Sequence, residues 1–436
     1  MTLVIIPSLM HKYSFSAPLA WFFGRHAHCV QGVYSYALSA AIVKKYDRFI
    51  VELNWFIEYY EFSLIVAFIK RHNPDAVILF GGLHAQLTFR EVFQRLPVDY
   101  YIKGDCELPI QLFVEGNDPQ SIPNMVGRDF ENPQTYVFQQ KDYADLEFNL
   151  DWFPDYLEKW AEFPGPGADV DVDFSRMPLL PKYWNDNDQH LPLNLRWRVP
   201  PKGGRYHLPM LITARGSCLA VHNGCEYCMG ARCNSEATYL RPPLVLDNET
   251  AIVLLRKIEQ RFSMVTLYIN SDCCYDFSGH SFNLDATIEV DSRCTVQDIA
   301  RIMPAFKKAC MHLSIYNEGL TGSSVRNDLQ QFSRLEDMDH KIYYFASDPQ
   351  AGPLEIPADR RLFAELICPP WTHWDFYNDS RKALARSMNW YFSTGQVNLY
   401  PVPRQKIIGI FRFIFLRLAY VLHRLNIVDL KKKHVV

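Results

Sequence analysis

The chain has 436 residues, 48% apolar and 21% charged, which suits two or three domains around a sizeable core and is the profile of a folded rather than a disordered protein. A net charge of −3 gives no global basic field, so no nucleic-acid partner is expected. The eleven cysteines form no regular disulfide ladder, and the N-terminus MTLVIIPSL lacks a basic region and a long apolar run. Both point to reduced thiols in a cytoplasmic protein.

Within residues 1–120, apolar runs at 3–6, 49–53, 76–80 and 100–102 read as strands. Residues 34–45 and 62–72 read as helices, the second closed by Asn73-Pro74. Strands separated by helices argue an α/β fold with a Rossmann-like parallel sheet. Gly81, Gly82 and Gly104 fall at strand carboxyl ends, where open α/β sheets bind ligands. Each glycine taken alone reads equally well as a tight turn.

Residues 121–205 form a loop-rich connector with the run Phe163-Pro164-Gly165-Pro166-Gly167 and an acidic patch at 169–173. Trp152, Phe153, Trp184 and Trp197 argue that it packs on its neighbours rather than hanging free. Residues 206–360 resume alternation, with strands at 210–213, 265–269, 286–290, 311–316 and 341–345 and helices at 248–261 and 296–308. Polar residues again follow the strands, as in a partial (β/α) TIM-type barrel with its site on the carboxyl face. The short polar stretch 273–282 reads as an abbreviated unit.

Residues 361–436 read as a helical C-terminal extension. Its run 407–428, IIGIFRFIFLRLAYVLHRLNIV, carries Arg412, Arg417, His423 and Arg424, which argues against a transmembrane span. Two readings stay open: a helix docked on the barrel's open edge, or an interfacial helix in peripheral contact with a membrane.

Cys218, Cys225 and Cys228 stand in the run LITARGSCLAVHNGCEYCMGARC, just after a strand that leads into Arg215-Gly216. Three close thiolates can hold an iron–sulfur cluster and leave one iron open to a small molecule. The spacing also admits a structural zinc, with Cys233 or His222 as the fourth ligand. Cys225 and Cys228 alone admit a redox dithiol. Cys233, Cys273 and Cys274 read as plain thiols, since no second C-x-x-C exists. His26, His28 and Cys29 could form a metal site, but read as residues that only precede the first helix.

The strand before the cysteines, Arg215-Gly216, Tyr227 before the last of them, Gly230 after it and Arg241 downstream resemble the core of the radical SAM superfamily. The common spacing there is C-x3-C-x2-C, and here the first gap is x6. Upstream, Pro74-Asp75-Ala76 through Gly81-Gly82-Leu83-His84-Ala85, then Val98-Asp99-Tyr100 and Gly104-Asp105-Cys106-Glu107, resemble the cobalamin-binding-type domain that precedes many such cores. The resemblance covers 1–120 and 206–345. The sequence D-x-H-x-x-G of one class of cobalamin proteins is absent, and the domain reads as one βα unit short between Phe49 and Phe80.

The resemblance implies that Cys218, Cys225 and Cys228 hold a 4Fe–4S cluster whose fourth iron is chelated by S-adenosylmethionine. It implies reductive cleavage of that molecule to a deoxyadenosyl radical, with an electron from a partner such as flavodoxin or ferredoxin. It places Tyr227, Gly230, Asn270, Ser271, Asp272, Arg293, Ser314, Asn317 and Glu318 around S-adenosylmethionine. It places Gly81, Gly82, His84 and Gly104 around cobalamin, with a purely structural domain as the rival. With cobalamin, the implied reaction is methyl transfer to an unactivated carbon or phosphorus, or a related rearrangement; without it, hydrogen abstraction acts alone. The substrate is not identified. The non-enzymatic alternative is a zinc-stabilised α/β scaffold that docks a membrane or partner through 407–428.

Overall fold

The computed structural model describes residues 1–7, 23–24, 26, 28–54, 58–147, 151–153, 210–212, 214–215, 244–260, 262, 264–269, 275–291, 294, 296–316, 340–346 and 362–366. The chain divides into two units, one comprising Met1–Gly216, Cys233–Leu267 and Phe282–Asp285, the other the remainder.

The first unit starts from strand β1, Thr2–Ile6, whose residues are all buried. Leu3 and Ile5 point into one apolar cluster, while Val4 and Ile6 are buried on the opposite face. A strand covered on both sides reads as a continuous apolar run and belongs to a parallel sheet. Each such side chain contributes about 1.5–3 kcal/mol on burial.

Beside β1 lie β2 (Val30–Tyr34) and β3 (Arg48–Glu52), both parallel to it. Next come β4 (Val77–Gly81), β5 (Tyr100–Ile102) and an antiparallel β6 (Met125–Gly127). The order is β2-β1-β3-β4-β5-β6. Its first five strands have the doubly wound order whose switch point lies between β1 and β3.

One sequence expectation changes here. The stretch 34–45, expected as a helix, instead follows strand β2 with a 3-10 turn, Ser35–Ala37, and the short helix α1, Ala40–Val43. The sheet has five parallel strands, and the one that the sequence pattern hid is β2, upstream of Phe49; among the described residues between Phe49 and Phe80, helix Glu58–His72 alone separates β3 from β4.

β2 is hard to read because its middle residue is Gly32. A Cβ there would stand 2.6 Å from Trp152 and 2.7 Å from Phe153. Those two rings, fully buried, lie over the strand, and the Gly32 N–H donates to the Trp152 carbonyl at 2.6 Å. This is the packing expected of the connector's aromatics. Trp184 and Trp197 lie outside the described residues.

Helices α2 (Glu58–His72), α3 (Leu83–Arg95) and α4 (Glu107–Glu115) connect the strands. Phe62, Ile65 and Ile69 of α2 and Ala85, Phe89 and Val92 of α3 bury against the sheet at helical spacing. Arg128 closes α3 by donating to the carbonyls of Phe93, Leu96 and Val98 at 2.7, 2.6 and 3.2 Å. Asp99 accepts from the Ile78 N–H at 2.8 Å and from Lys70 Nζ at 3.2 Å, which ties the amino ends of β4 and β5 to α2.

The strands β7 (Met210–Ile212), β10 (Met264–Ile269), β11 (Phe282–Asp291), β12 (Phe306–Tyr316), β13 (His340–Ala346) and β14 (Leu362–Leu366) make a second sheet. Its order, β14-β13-β12-β11-β10-β7, follows the chain, and β12, β13 and β14 pair in parallel. The helix expected over 296–308 stops early: α6 is Val296–Ile302, a 3-10 turn takes Met303–Ala305, and β12 starts at Phe306. Pro304 explains the stop, since it lacks the N–H a continuing helix needs. Between β7 and β10 a separate two-residue ladder pairs β8 (Ala214–Arg215) antiparallel with β9 (Leu244–Val245).

Helix α5, Asn248–Glu259, begins at Asp247, whose carboxylate accepts from the Thr250 N–H at 2.7 Å and its hydroxyl at 2.9 Å. Gln140 Nε2 also donates to it. The Thr250 N–H foremost, with the side chains of Thr250 and Gln140, holds the Asp247 carboxyl below its ordinary value of 3.8. No helix among the described residues is long and apolar enough to cross a membrane, and 407–428 lies outside them.

Two substitutions test this packing. Gly32→Ala is expected to cost about 1–3 kcal/mol by forcing Trp152 and Phe153 off β2, read as a lower thermal midpoint. Asp247→Ala is expected to cost roughly 1 kcal/mol at neutral pH through loss of the α5 cap. A carboxyl with a depressed folded value contributes stability above its unfolded value, lost as pH falls through the folded one. The gap between Asp247→Ala and wild type should therefore close in acid, below the ordinary carboxylate range, in denaturation series at stepped pH.

Candidate functional site

The carboxyl ends of β3, β4 and β5 gather the features singled out in the sequence. Gly82 follows β4 with φ +123°, and a Cβ there would lie 2.5 Å from the Leu53 carbonyl and 2.6 Å from Asn54 Oδ1. Only glycine fits this left-handed backbone against the turn after β3. That turn is tied down by the Leu53 N–H, which donates to the Gly81 carbonyl at 2.8 Å, and by the Leu53 carbonyl, which accepts from Ala85 at 3.2 Å. A Cβ on Gly81, by contrast, would meet nothing within 4 Å. The surface beyond β4 is open there.

Gly104 follows β5 with φ +78°. Its N–H donates to Gln86 Oε1 at 3.1 Å, and the same oxygen accepts from the Tyr101 hydroxyl at 2.6 Å. Buried Gln86 on α3 therefore sets the chain as it leaves β5. Asn54 Nδ2 donates to Glu52 Oε2 at 3.2 Å at the end of β3.

The run after Gly104 turns inward. The side chains of Asp105 and Glu107 are 6% and 5% exposed, and both face Arg215 of β8, itself 10% exposed. Arg215 Nη1 lies 2.6 Å from Glu107 Oε1 and 3.5 Å from Asp105 Oδ1. The guanidinium carbon stands 3.7 Å from the centre of the Phe138 ring and 5.9 Å from that of Tyr143. Asp105 is fixed in turn: its Oδ2 accepts from the Phe138 N–H at 2.9 Å, and its carbonyl accepts from Asn124 Nδ2 at 3.0 Å. Asn124 holds a left-handed φ of 61° and also bonds both backbone groups of Tyr136.

Burial works against the Arg215 cation, yet Glu107 foremost, with Tyr143 and Asp105, holds it more firmly protonated than an ordinary arginine. The neighbouring Cys106 thiol is pushed well above its usual value, first by burial and then by Glu107. Cys29, Cys106, Cys294 and Cys310 stand outside any disulfide.

Gly81, Gly82 and Gly104 thus stand together at adjacent strand ends, with His84 on the backbone of α3's first turn. Ser314 lies in β12, paired with Tyr343 of β13. Cys218, Cys225, Cys228, Tyr227, Gly230, Asn270, Ser271, Asp272, Arg293, Asn317 and Glu318 lie outside the described residues, as do Cys233, His222, Cys273 and Cys274. Asp99, part of the upstream motif, works at the opposite end of the sheet as a structural tie. Sequence reasoning named Arg215 and the Asp105–Glu107 run separately. Their pairing was missed, and its one signal is an acidic run and an arginine at two strand ends.

No family model matches the sequence, and no curated protein matches it. Solved structures do. The chain is similar to the cobalamin-dependent S-adenosylmethionine radical enzyme OxsB with aqua-cobalamin and S-adenosylmethionine bound, at TM-score 0.50 and 11% identity, over 98% of this chain and 61% of that one. It is also similar to the radical S-adenosylmethionine methyltransferase TsrM from Kitasatospora setae with cobalamin and a 4Fe–4S cluster bound, at TM-score 0.48 and 11% identity, over 79% of this chain and 69% of that one. The likeness to OxsB is one of fold. It spans about three fifths of the length of OxsB.

Arg215→Met would leave Asp105 and Glu107 as buried charges without their counter-ion. The expected loss is about 3–5 kcal/mol in urea denaturation.

Proposed function

We propose that the chain is a radical SAM enzyme in which Cys218, Cys225 and Cys228 hold a 4Fe–4S cluster. The carrying observation is the β8–β9 ladder, which brackets the cysteine-bearing segment between Arg215 and Leu244. The donor set fits such a cluster: three thiolates serve three irons and leave the fourth for the amino and carboxylate groups of S-adenosylmethionine. When bound, the cluster supplies the electron that cleaves S-adenosylmethionine to a deoxyadenosyl radical. A flavodoxin or ferredoxin is the class of partner that delivers it.

The chain's own residues bind and orient. Tyr227 and Gly230 lie beside the last thiolate in sequence, where the adenine would rest. Asn270, Ser271 and Asp272 follow β10, and Arg293, Asn317 and Glu318 follow β11 and β12. With Ser314 they are the residues for the amine, ribose and carboxylate. A sheet in strict chain order, with a polar residue set after its strands, suits an open (β/α) barrel.

Cobalamin would bind at the first sheet; what supports this is the strand order, with its switch point between β1 and β3, and the glycines Gly81, Gly82 and Gly104 at the strand ends. His84 belongs to the same sequence motif. The reaction supported best is cobalamin-dependent methyl transfer on a substrate still to be identified.

Anaerobic reconstitution with iron and sulfide tests the reading. The expected result is a brown protein with about four irons per chain that releases 5′-deoxyadenosine on reduction with S-adenosylmethionine. Cys225→Ala should abolish both and leave the fold. Added cobalamin should bind stoichiometrically and give methylated product. A colourless protein with one zinc per chain, unfolded by Cys225→Ala, would instead identify the zinc scaffold.

A further inference from the structure

The ladder that brackets the cysteine-bearing segment is very short. β8 and β9 share only the pairs Ala214↔Val245 and Arg215↔Leu244. So small a ladder is marginal without further contacts. Arg215, its last residue before the cysteines, is also the buried cation held by Glu107 and Asp105.

A buried ion pair is a poor choice for stability alone, since apolar residues of similar volume usually serve as well. What it adds is direction. The guanidinium is a rigid planar fork. Glu107 meets it at 2.6 Å, Asp105 lies to one side at 3.5 Å, and the Phe138 ring covers one face at 3.7 Å. Each partner is itself held. Glu107 opens α4, Asp105 is bonded to Phe138 and Asn124, and Gly104 is set by Gln86. Both carboxylates meet the same nitrogen, Nη1, and with the Phe138 ring against the guanidinium they hold the end of the Arg215 side chain in place.

We propose that Arg215, gripped by Asp105 and Glu107, is a positioning residue that fixes the root of the cysteine segment to the α/β unit, which makes the run Gly104-Asp105-Cys106-Glu107 a clamp on the cluster site. The inference rests on the radical SAM reading of that segment. Metal–ligand distances tolerate only about ±0.2 Å, so thiolates on a segment with a loose root converge less well.

Two variants test it: Arg215→Lys, which keeps the charge and loses the fork, and the triple variant Arg215→Met/Asp105→Asn/Glu107→Gln, which removes all three charges together. The first readout is amide exchange in the metal-free full-length chain. Both variants should exchange the β8–β9 amides roughly tenfold faster or more, while β1, β3 and β4 keep wild-type protection. The second readout is the reconstituted protein. Iron per chain should fall, and the electron paramagnetic resonance change caused by S-adenosylmethionine should be weakened or altered, with the thermal midpoint of the triple variant near wild type. Wild-type ladder exchange in either folded variant, or wild-type iron content and spectra, would overturn the proposal. If the wild-type protein takes up no cluster, the functional reading fails, and the exchange experiment still decides whether Arg215 anchors the ladder.

Discussion

The five parallel strands of the first unit are covered on both faces, and this leaves only their two ends for polar work. The ends divide it. At the amino end Asp99 and Lys70 tie β4 and β5 to α2, a purely structural arrangement. At the carboxyl end the chain turns through Gly82 and Gly104, with side chains removed from the path and backbone groups fixed by Leu53 and Gln86. A motif that runs through both ends therefore has parts with unlike duties, and only the carboxyl-end part can meet a ligand.

The same carboxyl end carries a buried ion-pair cluster. One buried cation faces two buried carboxylates, whose remaining oxygen lone pairs need hydrogen bonds. The structure supplies some of these from the backbone of Phe138 and Cys106. Beside them the Cys106 thiol is pushed well above its usual value, first by burial and then by Glu107.

Local patterns made much of this legible. The strand at 100–102 stands where its apolar run predicts, and β1, β3, β4 and β10 differ from expectation by a residue at their ends. The glycine pairs were recognisable as strand-end turns. What was hidden depends on distant partners. β2 carries Gly32 for the sake of Trp152, and nothing near Gly32 in the sequence announces it. β6 is three residues long and gains its status from pairing with β5. The Arg215 pair joins residues separated by 110 positions, and opposite charges at that distance have no periodicity to reveal them.

The anchored root also bears on the unusual gap between Cys218 and Cys225. Loop-closure cost rises slowly with length, about 0.6 kcal/mol for each doubling. Three residues more than the common spacing, inside a segment closed at Arg215 and Leu244, add only a small fraction of that. Extra length is thermodynamically harmless where the two ends are fixed. On the proposed reading of Cys218, Cys225 and Cys228 as cluster ligands, the longer gap raises the need for a fixed root, and the residue just before it, Arg215, is buried and held by two carboxylates.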